Sequence, residues 1–103
     1  MIMDGFTAIA EPTRRAILDC LRTGERDVTT LVTELRISQP LASKHLRVLR
    51  EAGLVEASVR GKRRVYRLAK EPLPDVLAWI GPYARQWSIA FDRLEHVLES
   101  ESS

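Results

Sequence analysis

Ser38-Gln39-Pro40 leaves this chain fewer choices than any other stretch. A serine caps a helix by accepting a hydrogen bond from a backbone N–H of the first turn, and a proline is at home within that turn. A helix therefore opens here, and Gly53 marks its end. Just upstream, Leu31, Val32 and Leu35 make the buried side of another helix, from residue 28 or 29 to residue 36. Only a short turn around Ile37 separates the two, which is the spacing of a helix-turn-helix.

Residues 54–59 and 64–69 are short β-rich runs, and Arg60-Gly61-Lys62-Arg63 lies between them. Gly61 supplies the positive φ that a tight hairpin needs. Upstream, a short helix covers residues 4–10. A second opens at Pro12, with Glu11 as a makeshift cap, buries Ile17, Leu18 and Leu21, and stops at Gly24. The last helix runs from residue 74 or 75 to about residue 99, and its apolar stripe keeps phase across Gly81-Pro82, which predicts one kinked helix. A loose polar tail follows at residues 100–103. The predicted fold is mainly α with a small β-hairpin: one winged helix-turn-helix domain over residues 1–103. Its recognition helix is at about 38–53, its wing at about 54–69 and a long dimerisation helix at about 74–99.

Charge is polarised along this frame. Residues 36–70 hold ten of the 16 basic residues and two acids, a local +8 in a chain of net charge +2. On a helical wheel Gln39, Pro40, Ser43, Lys44, Arg47, Arg50 and Glu51 fall on one side of the recognition helix. Leu41, Ala42, His45, Leu46, Val48, Leu49 and Ala52 fall on the other. A solvated face is the ordinary reading of such a pattern. The preceding turn and the following basic hairpin favour a reader of duplex DNA instead. Gln39 can pair with adenine, Lys44 with guanine, and Ser43 with either. Arg47 and Arg50 are candidates for phosphate contact, and Arg60, Lys62, Arg63 and Arg64 of the wing for phosphate contact or a narrow minor groove. Arg14 and Arg15, at the start of the second helix, are further phosphate candidates. His45 reads as a packed histidine with one hydrogen bond, not a base reader or a ligand.

Val76, Ile80, Tyr83, Trp87, Ala90, Leu94 and Val97 recur at steps of four and three, flanked by Leu77, Ala84, Phe91 and Leu98. This stripe is wider than one small domain can cover, so a homodimer interface is expected at Val76, Ile80, Tyr83, Trp87, Ala90, Phe91 and Leu94.

The single cysteine, Cys20, allows no intrachain disulfide and reads as a small packed residue rather than a redox switch. Met1-Ile2-Met3-Asp4 has no leader character, and Arg85, Asp92 and Arg93 interrupt the apolar segment 73–98, so no membrane span and a cytoplasmic location are expected. Two histidines and one cysteine form no nucleophile–base pair, and there is no phosphate loop. The expectation is no enzyme, no cofactor and no metal. The expected partners are double-stranded DNA and a second copy of the chain.

Four stretches carry a family resemblance: Glu11-Pro12-Thr13-Arg14-Arg15-Ala16-Ile17-Leu18, the run Ser38 through Leu49, Ala52-Gly53-Leu54-Val55, and Gly61-Lys62-Arg63-Arg64-Val65-Tyr66-Arg67-Leu68. With them the chain resembles the ArsR family of bacterial winged-helix repressors, and its tryptophan-rich last helix resembles a branch without the usual metal motifs. The resemblance implies a homodimer that binds an inverted repeat and represses transcription. Members commonly release DNA on binding a metal ion or on thiol oxidation. Here the helix before the recognition helix holds no cysteine. Asp92, His96 and Glu99 share a helix face that points away from the apolar stripe, and Tyr83 and Arg85 stand where further ligands would be needed. Two alternatives stand beside the repressor reading: a metal- or redox-responsive sensor of the same fold using Asp92, His96, Glu99 or Cys20, and a winged-helix protein-interaction module.

Overall fold

A computed structural model describes residues 4–71 and 74–102. The opening Met1-Ile2-Met3, read above against a leader, and Ser103 of the tail lie outside the described residues. The elements run α1 (Gly5–Ala10), α2 (Pro12–Arg22), β1 (Arg26–Asp27), α3 (Val28–Leu35), α4 (Gln39–Glu51), β2 (Val55–Arg60), β3 (Arg63–Leu68) and α5 (Pro74–Ser102).

The predicted caps explain the helix starts. Glu11 accepts from the Arg14 amide at 2.9 Å, and Ser38 from the Leu41 amide at 3.2 Å. Helix α4 ends in a Schellman motif around Gly53, whose φ is 78°. The Leu54 amide donates to the Leu49 carbonyl at 2.9 Å, and the Gly53 amide to that of Arg50 at 3.0 Å. Leu49 and Leu54, joined by this bond, belong to one core with Ile17, Leu31 and Leu46. The core thus sits between α2, α3, α4 and the root of the hairpin.

The hairpin closes on two residues, Gly61 and Lys62, with Arg60 opposite Arg63. Gly61 alone has positive φ, 65°, the pattern of a type II′ turn. Both strands run one residue further into the turn than the β-rich pattern predicts. The sheet also has a strand the sequence reading lacked. Arg26–Asp27 pairs antiparallel with β3, giving the order β1-β3-β2, with Asp27 opposite Val65.

Helix α5 is continuous through Pro82 and extends three residues beyond the expected end at about 99, so residues 100–102 are helical rather than loose. At about 1.5 Å per residue it is roughly 43 Å long. Its packing is against α1: the Gly5 amide donates to Asp75 at 3.0 Å, and Phe6 meets Trp79 edge to face with ring centroids 5.8 Å apart. Much of the helix projects free, which gives the chain a radius of gyration of 17.2 Å. A compact domain of this size has about 13 Å.

Candidate nucleic-acid interface

Helix α4 divides as its wheel predicts. Ala42, His45, Leu46 and Leu49 are buried, whereas Gln39, Pro40, Ser43, Lys44, Arg47, Arg50 and Glu51 are exposed. Leu41 departs from the expected apolar side and stands 38% exposed next to the helix N-terminus. His45 is packed as expected. Its Nδ1 lies 3.4 Å from a terminal nitrogen of Arg14 and 3.8 Å from Glu11.

An open groove of about 690 Å³ lies between α4, the start of α3 and the wing. Gln39, Ser43, Arg47 and Arg50 line it on the helix side, and Lys62, Arg63 and Arg64 on the hairpin side. Seven of the ten residues singled out from the sequence thus share one concavity, although up to 25 positions separate them. Pro40, Lys44 and Arg60 are exposed but stand outside that lining. Asp27, Thr29 and Tyr66 belong to the groove and were not foreseen. Their placement follows from β1, whose two residues carry too little pattern to be recognised in the sequence.

The cations of this region are partly paired. Arg63 donates through Nε to Asp27 at 2.8 Å, and Arg60 forms a two-point pair with Glu25, one arm at 3.1 Å. Arg47 meets Glu51 one turn on at 3.4 Å, and the Arg64 guanidinium lies 5.9 Å from the centre of the Tyr66 ring. Arg14 and Arg15, phosphate candidates from the sequence, are engaged within the chain. Arg14 donates to the carbonyls of Ala8 at 2.7 Å and Thr7 at 3.2 Å. Arg15 donates to those of Ile9 at 2.8 Å and Ala10 at 2.9 Å. The two arginines close the C-terminal end of α1, whose carbonyls have no partner within so short a helix.

On α5 the expected interface residues also divide. Val76 is 6% exposed and Ile80 half-buried within the chain's own fold, so Val76 is withdrawn from any partner surface. Tyr83, Trp87, Ala90, Phe91 and Leu94 are open to solvent. Trp79, Tyr83 and Trp87 stack along the helix at centroid spacings of 4.9 and 5.8 Å and continue the Phe6 contact. Asp92, His96 and Glu99 are all exposed. Among the described residues no three His, Cys, Asp or Glu side chains are grouped so as to hold a metal ion. Cys20 is half-buried, and burial, reinforced by Glu34, pushes its thiol above the ordinary value. No helix among the described residues is long and apolar enough to cross a membrane.

Comparison with known proteins points one way. The family model described as bacterial regulatory protein, arsR family, matches residues 11–57. The transcriptional repressor SdpR of Bacillus subtilis is 35% identical over 75 residues, 73% of this chain and 83% of that protein. The repressor SmtB of Mycobacterium tuberculosis is 41% identical over 70 residues, 68% of this chain, which thereby spans about half (52%) of that relative's length. A crystal structure of an ArsR family transcriptional regulator superposes with a TM-score of 0.68 at 32% identity, covering 81% of this chain and 91% of that one. The solution structure of a homodimeric winged helix-turn-helix DNA-binding domain from Mycobacterium bovis, a possible ArsR-family regulator, gives 0.62 at 37% identity, covering 77% and 73%.

Proposed function

We propose that this chain, which belongs to the arsR family of bacterial regulatory proteins, binds DNA as a homodimer and represses transcription from an inverted-repeat operator. The observation that carries the reading is the groove in which Gln39 and Ser43 of α4 face Lys62, Arg63 and Arg64 of the wing. A helix whose exposed face is polar and basic, flanked by a cationic hairpin tip, fits a major groove and the phosphates beside it.

The roles divide by position. Gln39, Ser43 and Lys44, near the N-terminus of α4, read base edges. Pro40 shapes that first turn against the duplex. Arg47, Arg50, Arg60, Lys62, Arg63 and Arg64 hold phosphates and supply the salt-dependent part of affinity. Tyr83, Trp87, Ala90, Phe91 and Leu94, with the half-buried Ile80, bury against the same helix of a second copy. That pairing sets two recognition helices about 34 Å apart, one turn of duplex. The named relatives SmtB and SdpR are repressors, and the Mycobacterium bovis domain is homodimeric and binds DNA, which supports the same assignments here.

Selection of bound duplexes from a random pool tests the reading. It should return an inverted repeat with half-sites one turn apart, bound by a dimer. Recovery of no sequence preference above a scrambled pool would overturn it.

A further inference from the structure

The wing carries four cations, yet its charge is not simply displayed. Strand β1 pairs with β3 and brings Asp27 opposite Val65, into the groove itself. There one Asp27 oxygen accepts the Thr30 amide at 2.8 Å, capping α3, and the other accepts Arg63 Nε at 2.8 Å. Asp27 is thus fixed by a strand on one side and a helix cap on the other, with its side chain only 16% exposed. Arg63 is long, and its side chain is 67% exposed. In such a pair the anchored carboxylate decides where the guanidinium sits. The bond uses Nε, so the two terminal nitrogens of Arg63 remain for an incoming group. Hydrogen bonds from Thr30, and then Arg63, hold the Asp27 carboxyl below its ordinary pKa, so it is ionised at neutral pH.

A cation on a wing attracts the phosphates of any duplex and adds to binding that carries no sequence information. A carboxylate beside it offsets that attraction on every duplex. On the operator alone, where register is fixed by base contacts, a guanidinium already held in place docks without further ordering. Both effects widen the gap between operator and random DNA. We propose that Asp27 is a specificity-determining residue: by pairing with Arg63 it suppresses non-operator binding and positions that arginine for the operator backbone. This rests on the DNA-binding reading above and adds to it a residue of opposite charge from the ones that hold phosphate.

The substitution Asp27→Asn isolates the effect, because asparagine caps a helix about as well as aspartate while losing the charge. Wild type, Asp27→Asn, Arg63→Gln and the double variant are titrated by fluorescence anisotropy at several salt concentrations. The probes are the duplex selected from the random pool and a scrambled duplex of equal length. The Asp27→Asn variant should bind the scrambled duplex about three- to tenfold more tightly, with a salt slope steeper by about 1 per subunit. Its operator-to-scrambled ratio should fall, and the gain should vanish in the Arg63→Gln background. Unchanged scrambled binding with native circular dichroism overturns the proposal, and so does an equal gain without Arg63, which would mean a bare charge effect. If Asp27→Asn disturbs the circular dichroism, Asp27→Ser, another capping residue, takes the same measurement. A wild type that binds neither duplex sinks the DNA-binding reading and this proposal together. An unresponsive Asp27→Asn beside a binding wild type sinks this proposal alone.

Discussion

Replacing Trp87 by alanine should break the dimer without unfolding the protomer. A tryptophan buries up to about 250 Å². Trp87 is 48% exposed in the isolated chain, so about 120 Å² per protomer awaits cover, or about 240 Å² in a symmetric pair. At about 25 cal/mol per Å² that area is worth roughly 6 kcal/mol. Alanine keeps some of the contact and not every exposed atom becomes covered, so about half is lost, near 3 kcal/mol and roughly a hundredfold in the dimer dissociation constant. Within its own chain Trp87 rests on Tyr83, at 5.8 Å between centroids, and is absent from the hydrophobic core. Thermal unfolding at concentrations where both proteins are monomeric should therefore match. Sedimentation velocity over a dilution series reads the result. A variant that dissociates at the wild-type concentration would show that the exposed face of α5 is not the contact. A monomeric wild type at micromolar concentration would show the same.

Lys44→Ala should cost about 1–3 kcal/mol on the operator and relax base preference at one position, measured as the operator-to-scrambled ratio; an unchanged ratio would remove α4 as the reader. Leu46 is fully buried at the centre of the core, so Leu46→Ala should lower stability by about 2–5 kcal/mol in urea unfolding with little change in slope. Acid should loosen the helix starts. The Thr7 amide holds the Asp4 carboxyl, and Thr30 that of Asp27, below the ordinary 3.8. Burial, the largest single influence on Glu11, pushes it up, but the Arg14 amide, His45 and their neighbours together hold it below 4.5. A lowered folded pKa stabilises the fold above the ordinary value and ceases to do so as pH falls through the folded one, so the urea midpoint should drop between about pH 5 and pH 3. A midpoint that stays flat across that window would refute it.

What could be read from the sequence was what has a local cause. Ser38, Pro40, Gly53 and Gly61 act within one turn of themselves, and each marks the boundary it was expected to mark. The polar face of α4 follows from a period of 3.6, and its buried His45 from the same wheel. The misreadings have non-local causes. Strand β1 is two residues long and exists only because β3, nearly forty positions later, offers it a partner. Without β1 there was no reason to place Asp27 or Glu25 beside the wing, so all four wing cations looked unpaired. The partners of Arg14 and Arg15 were not legible for a related reason. Charge pattern shows a cation but not its acceptor, and here the acceptors are the carbonyls that end α1. A signal for this was present: α1 is six residues long, ends without a glycine or a basic residue of its own, and must find donors elsewhere.

The same Arg14 contacts add polar ties between α1, α2 and α4. Its guanidinium touches the end of α1, the cap of α2 lies at its own amide, and its terminal nitrogen reaches His45 on α4. Helix α1 in turn carries the Gly5–Asp75 bond and the Phe6–Trp79 contact to α5. A six-residue helix is too short to be stable alone. Its position is therefore set by what it packs on: Ala8 lies in the core, α5 touches its start and Arg14 its end. Val76, among the described residues the only large apolar one of α5 buried by the chain's own fold, lies at the root of the helix, one turn from Trp79. Beyond that root Tyr83, Trp87, Phe91 and Leu94 are exposed, and the second copy proposed above is what would cover them.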